Sequence, residues 1–432
     1  MSAHVHDVLG VGIGPFNLGL ACLADPLDLD AVFVDQAPEF RWHPGMMIDG
    51  ATIQVPFLAD LVTMADPTSP YSFLAYLKDV GRLYPFYIRE SFYPLRAEYD
   101  AYCRWAAARL GSLRWGRQVV SLERDADTWV ARAELADGTV ETYRARHVVL
   151  GTGTSPVLPP ALRDLGDSAV HSAQYLARRT VLLAAGHVTV VGSGQSAAEI
   201  YRDLLGELRT PHGGGPLDRL DWVTRSPRFF PMEYTKLTLE MTSPEYTDHF
   251  HALPLELRDR LGREQRGLYK GISGDLVDDI YDTLYRLSLE HRVPTTLLTD
   301  TEVVAASTDV DGIELRLHHA QLDRGTTHRT RAVVVATGYA AAEPAFLGPV
   351  RDLLDRDARG RLAVTRDYTV EPSRTLHVQN AEEHTHGLTA PDLGMGAWRN
   401  AVILSTILGH EPYPVERRIA FQQFGLPDGG AR

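Results

Sequence analysis

The chain has 432 residues, enough for two or three domains that each enclose a hydrophobic core. Its formal net charge of -13 at pH 7 argues against nucleic acid as a partner. It contains no apolar run of membrane-spanning length and no signal-peptide pattern at its start, so we expect a cytoplasmic protein without a membrane partner.

The first predicted elements are a buried strand over 8–11 and an apolar helix that ends near Leu23, joined by a turn through Gly12, Gly14 and Pro15. Glycines in such a turn let the backbone approach a pyrophosphate, while the helix N-terminus supplies amide donors and positive potential. The pattern therefore predicts a dinucleotide site, with a plain tight turn as the alternative.

Two further features of this unit bear on the nucleotide. Asn17 occupies the position of the usual third glycine. The next predicted strand, over 31–34, leads into Asp35, whose carboxylate can accept hydrogen bonds from ribose hydroxyls. Strand, glycine turn, helix, strand and terminal acid within one unit favour the dinucleotide interpretation over the plain turn.

The stretch over 36–67 is rich in proline, glycine, methionine and aromatic residues, and we interpret it as a buried ligand wall. After two predicted helices come three segments of alternating polarity, with a hairpin turn at Asp137 and Gly138. These segments lead into a buried strand at 147–154, as the end of the first α/β unit.

The same arrangement recurs in the second half of the chain. A strand and a helix over 187–200 enclose a turn with Gly192, Gly194 and Ala197 at the three motif positions, and a second alternating run ends at 336–338. Two copies of this arrangement predict an α/β fold with two doubly wound dinucleotide-binding domains. The C-terminal part of the chain is expected to complete the first domain.

The strand after the second glycine turn indicates which nucleotide binds there. It ends in Thr224 and Arg225, with Arg228 close behind, where an NAD site would carry a carboxylate. A carboxylate repels a 2′-phosphate and a guanidinium binds it, so this position predicts NADPH. An exposed arginine at a strand end is the alternative interpretation.

Residues 228–292 interrupt the α/β pattern with an aromatic, methionine-rich and mostly helical segment. We interpret it as a small insertion near the cofactors, with packing or an oligomer contact as the alternative. The closing run, 384–408, brings glycine-rich backbone into a helix. His384 and His386 have the spacing of a metal pair but no third ligand nearby, so no metal site is predicted.

An acidic ribose partner in one domain and a basic partner in the other suggest a flavin nucleotide together with NADPH. Over nearly its whole length the chain also closely resembles the flavin-dependent N-hydroxylating monooxygenases of siderophore biosynthesis. That family comprises lysine N6-hydroxylases and ornithine N5-hydroxylases and includes diamine hydroxylases. The motifs that carry the resemblance are WHPGM at 42–46, IQVPFLADLVT at 53–63, PTSPYSFLAYL at 67–77, GSGQSAAE at 192–199, ATGY at 336–339 and THGL at 385–388.

The resemblance implies an FAD domain over 1–170 and 331–432, an NADPH domain over 171–227 and 293–330, and a substrate-binding insertion over 228–292. It also implies the chemistry: NADPH reduces FAD, O2 forms a C4a-hydroperoxide, and a neutral primary amine attacks the distal oxygen. The protein supplies position, desolvation and hydrogen-bond donors. A small primary amine and O2 are the expected partners, and the chain is expected to form a homo-oligomer.

Matching the family motifs gives two sets of cofactor residues. FAD is expected to contact Gly12, Gly14, Pro15, Phe16, Asn17, Asp35, Trp42, His43, Gln54 and Leu393. NADPH is expected to contact Gly192, Ser193, Gly194, Gln195, Ser196 and Arg225. Because the flavin carries the chemistry, no residue is identified as a certain catalytic group, and Gln54 is the one candidate.

Two positions depart from the amino-acid hydroxylases. Their FLxDL motif usually has lysine at its third position, where it pairs with the substrate carboxylate, and here that residue is Ala59; Gly394 replaces a common serine. A diamine has no carboxylate but carries a distal ammonium, for which Glu240 and Asp392 are candidate partners. The resemblance therefore favours an FAD- and NADPH-dependent N-hydroxylase of cadaverine, then putrescine, for hydroxamate siderophores.

Three alternatives stay open. The nearest is an L-lysine N6-monooxygenase that binds the carboxylate through Lys236 or Lys270 of the insertion. A flavin disulfide or quinone reductase is the second, and against the former the only cysteines, Cys22 and Cys103, form no Cys-x-x-Cys motif. The third is a nucleotide-sensing protein without activity, because such motifs establish binding more securely than turnover.

Overall fold

The first α/β unit begins with the glycine turn between its first strand and helix. The computed structural model describes residues 4–211, 213–289 and 291–426. The elements up to the end of the first meander are β1 (His6–Val11), α1 (Pro15–Ala24), β2 (Ala31–Asp35), α2 (Phe73–Asp79), α3 (Leu83–Ile88), α4 (Arg96–Ala107), β3 (Leu113–Trp115), β4 (Gln118–Asp125), β5 (Thr128–Glu134) and β6 (Val140–Leu150).

One long strand, β6, serves two parts of the first sheet. Its C-terminal half pairs parallel with β1 in the order β3, β2, β1, β6, while its N-terminal half pairs antiparallel with β5. The predicted turn at Asp137 and Gly138 joins β5 to β6, where Gly138 has a φ of +80°. Because a Cβ disfavours that conformation, glycine is the residue suited to this hairpin, and the prediction is confirmed.

The second unit contains a second sheet, a meander and the insertion. In chain order its elements are β7 (Ser155–Pro156), β8 (Ala169–His171), α5 (Tyr175–Ala185), β9 (His187–Val191), α6 (Gln195–Leu205), β10 (Arg209–Thr210), β11 (Gly213–Gly214), β12 (Arg219–Val223), α7 (Lys236–Leu239), α8 (Pro244–Ala252), α9 (Leu255–Glu264), α10 (Gly274–Ser288), β13 (Thr295–Leu298), β14 (Thr301–Asp309), β15 (Gly312–His319), β16 (Arg324–Thr330), β17 (Ala332–Val335) and β18 (Tyr339–Ala340).

The second sheet is entirely parallel, in the order β13, β12, β9, β17, β8, and the antiparallel meander β14, β15, β16 packs on one of its faces. The expected boundaries at 170 and 331 are corrected, because β8 and β17 both pair within this sheet. The chain passes between the units at β7 and β18, which pair with each other. The α/β fold class is as predicted: each unit contains a parallel run of strands, β3, β2, β1, β6 in the first sheet and all five strands of the second.

The insertion is helical, as predicted, and it touches both units. Helix α10 packs on α6 of the second unit, while α8 packs on the C-terminal part of the chain. There, the Thr247 hydroxyl lies 3.1 Å from the Thr389 hydroxyl, and Phe250 packs on Leu388. The insertion is therefore placed over the junction of the two units.

The C-terminal part returns to the first unit, as predicted. It contributes β19 (Leu376–Val378), α11 (Glu383–His386) and α12 (Gly396–Leu408). Strand β19 pairs with β6, and α12 packs on α1. Residues 409–426, called the C-terminal segment below, contain no helix or strand. No helix within the described residues has both the length and the apolar composition needed to cross a membrane.

Candidate functional site

The first glycine turn leaves open space where a phosphate group would approach. Gly12 has a φ of +88°, and a Cβ there would lie 2.4 Å from the Gly151 carbonyl oxygen. Gly14 is the N-cap of α1, and a Cβ there would meet no atom within 4 Å. Asp35 accepts from the Ile13 and Ala37 backbone N–H at 2.6 and 2.7 Å, which leaves acceptor capacity on both oxygens for ribose hydroxyls.

Asn17 shapes this turn instead of facing a ligand, which corrects its assignment as an FAD contact. The residue is fully buried. Its Nδ2 donates to the Gly12 and Val149 carbonyls at 2.8 and 3.2 Å, and its Oδ1 accepts from Gln379 Nε2 at 2.9 Å. A Cβ at Gly151 would lie 2.6 Å from the Asn17 amide. Glycine at 151 therefore provides the room that the usual third glycine of the motif provides elsewhere.

Three predicted FAD residues, Pro15, Phe16 and Leu393, line one small cleft at the start of α12. A Cβ at Gly396 would lie 3.1 Å from the Phe16 ring. The buried Arg399 guanidinium also lies over that ring, 4.4 Å from its centroid. The close packing fixes the glycine turn relative to the glycine-rich run before α12, so both can face the same cofactor.

Trp42 and His43 lie at the wall between the two units. The backbone N–H of Trp42 donates to Asp100 Oδ1 at 2.8 Å. His43 has a φ of +47°, and its ring centroid is 5.6 Å from that of Tyr339 in β18, where the chain passes between the units. Desolvation, followed by the charge of Arg96, lowers the pKa of His43 to about 4. The imidazole is therefore neutral at neutral pH.

The second glycine turn is held by a tryptophan, Trp222, that no sequence motif indicates. A Cβ at Gly192 would lie 2.2 Å from the Ala336 carbonyl oxygen, so glycine is required. Trp222 Nε1 donates to the Gly192 carbonyl at 2.8 Å. The next predicted NADPH residues are all partly exposed around the start of α6: Ser193, Gly194, Gln195 and Ser196.

Arg225, the predicted partner of the 2′-phosphate, is exposed at the end of the second unit's strand β12. It directly follows the buried Thr224. Arg228 is also exposed, with its guanidinium 5.8 Å from the Phe230 ring centroid. The predicted position of a basic group after the strand is therefore accessible.

A hydrogen-bonded chain joins the two units behind these turns. Gln54 Nε2 lies 3.1 Å from Gln195 Oε1, and Gln195 Nε2 donates to Glu199 at 2.9 Å. Glu199 forms two hydrogen bonds of 2.8 Å with Arg96, which also donates to the Met46 carbonyl. The Gln-x-x-x-Glu spacing predicts that Gln195 and Glu199 share a helix face, but nothing in the sequence pairs them with Gln54 and Arg96.

Three predicted substrate residues come together in the run before α12. A Cβ at Gly394 would lie 3.8 Å from Ala59 Cβ and 2.9 Å from Asp392 Oδ1. Burial raises the pKa of Asp392, and the N–H groups of Gly394 and Met395 oppose that rise. A partly buried carboxylate with a raised pKa is stabilised by a cation beside it.

Tyr234 of the insertion also lies near Asp392, and no sequence motif indicates it. Its hydroxyl donates to the Gln54 carbonyl, while Gln54 Nε2 lies 3.1 Å from Met232 Sδ. Burial, then the charges of Asp392 and Tyr93, raises the pKa of Tyr234. The insertion thus contributes an aromatic side chain next to the Asp392 carboxylate.

Glu240 and Lys270 have partners elsewhere in the protein and not at Asp392 and Gly394, so their assignment as substrate residues is corrected. Glu240 accepts hydrogen bonds from the backbone N–H groups of Phe421 and Gln422 at 2.9 and 3.0 Å. Lys270 Nζ lies 3.0 Å from both oxygens of Glu383. The Glu240 carboxylate is thus hydrogen-bonded and the Lys270 ammonium ion-paired within the protein. Lys236, the other cation considered for a carboxylate, is exposed at the start of α7.

The histidine pair and the cysteines have structural positions. His384 Nε2 lies 2.8 Å from the Leu362 carbonyl oxygen, and the buried His386 stacks on Tyr368. Cys22 and Cys103 are free and fully buried, and burial raises the pKa of both thiols. Buried thiols with raised pKa values are poor nucleophiles, which argues against disulfide chemistry.

Comparison with known proteins agrees with this geometry. Residues 4–341 match the family model described as L-lysine 6-monooxygenase/L-ornithine 5-monooxygenase. A putrescine N-hydroxylase of Shewanella oneidensis is 47% identical, covering 97% of this chain and 84% of the relative.

Two solved structures are similar over almost the whole chain. One is the cadaverine monooxygenase DfoA of Erwinia amylovora bound to FAD, with a TM-score of 0.95, 47% identity and coverage of 98% of this chain and 99% of that one. The other is the ornithine N-hydroxylase KtzI of Kutzneria sp. 744 with reduced FAD, NADP+ and L-ornithine, with a TM-score of 0.87, 27% identity and coverage of 94% and 99%.

Proposed function

This chain belongs to the family of L-lysine 6-monooxygenases and L-ornithine 5-monooxygenases, and it is an FAD- and NADPH-dependent N-monooxygenase. We propose that it hydroxylates one primary amine of an aliphatic diamine. Cadaverine is the preferred substrate and putrescine the second. The N-hydroxylated diamine is a building block of hydroxamate siderophores. The observation that carries the proposal is that Ala59 and Asp392 both lie next to Gly394.

The charges at this position suit an ammonium better than a carboxylate. Ala59 is 6% exposed and apolar, so it offers no partner to the carboxylate of an amino acid. Leaving a carboxylate unpaired in a pocket costs several kcal/mol, about 3 to 5 by analogy with broken buried ion pairs. Asp392, on the same side of the cleft at Gly394, offers a carboxylate that can pair with the distal ammonium of a diamine. The names of the Shewanella and Erwinia relatives, putrescine and cadaverine enzymes, support the same substrate class.

The residues present fit both cofactors. The open space at Gly14 and the N-terminus of α1 suit the FAD pyrophosphate, Asp35 suits its ribose, and the exposed Arg225 suits the 2′-phosphate of NADPH. When bound, FAD reduced by NADPH supplies the activated oxygen that the amine nitrogen receives. The contact of Gln54 with Gln195 holds the two cofactor-binding units in one arrangement.

The protein's own contribution to the reaction is binding, orientation and exclusion of water. Pairing of Asp392 with one end of the diamine leaves the other amine as the reacting group. Only the neutral amine has a lone pair for the transfer, and each pH unit below its pKa costs about 1.4 kcal/mol. A water-poor cleft at the reacting end favours that neutral form.

The test is hydroxylamine formation by purified protein with FAD, NADPH and cadaverine, putrescine, L-lysine or L-ornithine. We expect kcat/KM for the diamines to exceed that for the amino acids by about tenfold or more, about 1.4 kcal/mol. Asp392→Asn should lower diamine efficiency by about 10- to 100-fold, because it removes a charge-assisted pair, with the KM for NADPH unchanged. A parent enzyme that prefers L-lysine tenfold contradicts the proposal.

We also propose that copies of the chain associate through the aromatic face of α3. Tyr84, Tyr87 and Ile88 share that face and are 75, 76 and 72% exposed, and Phe92 after it is 69% exposed. Exposed apolar patches of this kind mark association surfaces. Light scattering should give a mass above the 47.9 kDa of one chain, and Tyr87→Lys should lower it. A monomeric parent contradicts this proposal.

A further inference from the structure

The C-terminal segment is anchored to the first unit at one end. The Tyr413 hydroxyl donates to the Leu23 carbonyl of α1 at 2.8 Å. Further along, the Glu416 carbonyl accepts from Trp398 Nε1 of α12 at 2.8 Å. From there the chain leaves the first unit and reaches the insertion.

At the insertion, two glutamates accept four consecutive backbone N–H groups of the segment. Glu245 on α8 accepts from Ile419 and Ala420 at 2.5 and 2.9 Å. Glu240 after α7 accepts from Phe421 and Gln422 at 2.9 and 3.0 Å, one on each carboxylate oxygen. The ionised carboxylate is a strong acceptor for such N–H donors.

Apolar burial does not hold this part of the segment in place. Ile419 is 50% exposed and Phe421 is 97% exposed, so their side chains gain little from packing. Only further along does Phe424 pack edge-on against Tyr246, with ring centroids 5.0 Å apart. The attachment of 419–422 to the insertion therefore rests on hydrogen bonds, of which the two carboxylates accept all those from the backbone.

The attachment continues directly into the wall of the substrate cleft. Helix α7 lies between Glu240 and Tyr234, and Gln422 Nε2 also donates to the Leu237 carbonyl of that helix. Tyr234 donates to the Gln54 carbonyl, and Met232 contacts the Gln54 amide. A shift of α7 would carry these two side chains away from Gln54.

We propose that Glu240 and Glu245 are positioning residues: they clamp the C-terminal segment onto the insertion and thereby hold Tyr234 and Met232 against the amine cleft. The role of the cleft rests on the proposed function, whereas the clamp itself does not. The segment connects the insertion to α1 and α12, whose N-terminal end follows Asp392. It therefore ties the two sides of the cleft together.

The test compares the parent with Glu240→Gln/Glu245→Ala. A glutamine amide at position 240 would present an N–H group where one carboxylate oxygen accepts, and alanine removes the Glu245 oxygen that accepts from both Ile419 and Ala420. Glu256→Gln, on the exposed surface of α9, is the matched control. Two readouts need no substrate: trypsin cleavage after the exposed Arg417 and Arg418, and hydrogen exchange of residues 230–240.

We expect the double variant to be cleaved about tenfold faster and to lose exchange protection over 230–240, with the control unchanged. With cadaverine, its KM should rise about three- to tenfold and less hydroxylamine should form per NADPH, while the KM for NADPH stays the same. If the double variant does not fold, the same measurements are made on Glu240→Gln alone.

Unchanged cleavage and exchange would overturn the clamp. Faster cleavage without change over 230–240 would overturn the link to the cleft. If the parent hydroxylates no amine at all, the proposed function fails, and the two structural readouts still decide whether the clamp exists.

Discussion

Arg96 of the first unit and Glu199 of the second form two hydrogen bonds of 2.8 Å across the junction between the units. Their side chains are only 11 and 6% exposed, so the pair is shielded from water. Glu199 also accepts from Gln195, which contacts Gln54. The pair therefore fixes α6, the helix that begins at the second glycine turn, against the wall of the first unit.

Glu199→Gln should destabilise the protein by about 3 to 5 kcal/mol, because it leaves the shielded Arg96 without a counter-charge. Urea unfolding measures the loss. Glu207→Gln is the matched control, since Glu207 pairs with Arg179 within one unit and both are about 30% exposed, so it should cost less than about 1 kcal/mol. Equal losses in the two variants would contradict a special role of the pair between the units.

Arg225→Ala should raise the KM for NADPH about 10- to 100-fold and leave that for NADH nearly unchanged. The reason is the loss of a charge-assisted pair with the 2′-phosphate, worth about 1.5 to 3 kcal/mol. Steady-state kinetics with both coenzymes measures it, and Arg228→Ala, a second exposed arginine nearby, is the control. If both coenzymes are affected equally, Arg225 does not bind the phosphate.

Ala59→Lys should shift the ratio of kcat/KM for cadaverine and L-lysine toward lysine by about tenfold or more, about 1.4 kcal/mol. The new ammonium can pair with an amino-acid carboxylate and repels a diamine ammonium. Ala59→Met, which adds similar length without charge, is the control and should lower both efficiencies alike. A ratio that moves equally in both variants would show a steric effect only.

His377→Leu should make stability less dependent on pH between 7.5 and 5.5. Burial lowers the pKa of His377 to about 3, and its two ring nitrogens lack hydrogen-bond partners among the described residues. Because the folded pKa lies below the unfolded value of about 6.5, the unfolded chain takes up the proton first. Stability therefore falls as pH drops from about 6.5 toward 3, by about 1.4 kcal/mol at pH 5.5.

Urea unfolding at pH 7.5 and 5.5 measures this dependence. The exposed His410 provides the control, since His410→Leu should leave the difference between the two pH values as in the parent. A His377→Leu variant that loses as much stability as the parent on acidification would show that another group controls the effect.

The sequence predicted the parts of the fold that depend on neighbouring residues. The glycine turns, Asp35 at the end of β2 and the hairpin at Gly138 are local patterns, and they were found. The boundary at 331 was misplaced because the second unit uses two strands where the first uses one. In the first unit β6 pairs with both the meander strand β5 and the parallel strand β1, whereas in the second β16 pairs with the meander and β17 with the parallel sheet.

The remaining site residues depend on contacts between distant segments. Trp222 lies in a segment whose sequence is typical of any buried strand. Its hydrogen bond from Nε1 to the Gly192 carbonyl therefore cannot be predicted from the sequence. Glu240 was assigned to the substrate because it is acidic and lies in the insertion, but the N–H groups that it accepts come from the C-terminal segment. Neither relationship has a spacing that a sequence pattern could reveal.

The pairing of β7 with β18 has a consequence for the order of folding. The chain leaves the first unit at β7 and returns to it at β18, and these two strands pair with each other. Residues 157–338 therefore form a domain inserted into the first unit. During synthesis the sheet of the inserted domain is complete once β17 has emerged, whereas the first unit still lacks β19 and α12. The inserted domain can thus fold on the ribosome first, and the first unit becomes complete only after β19 and α12 have emerged.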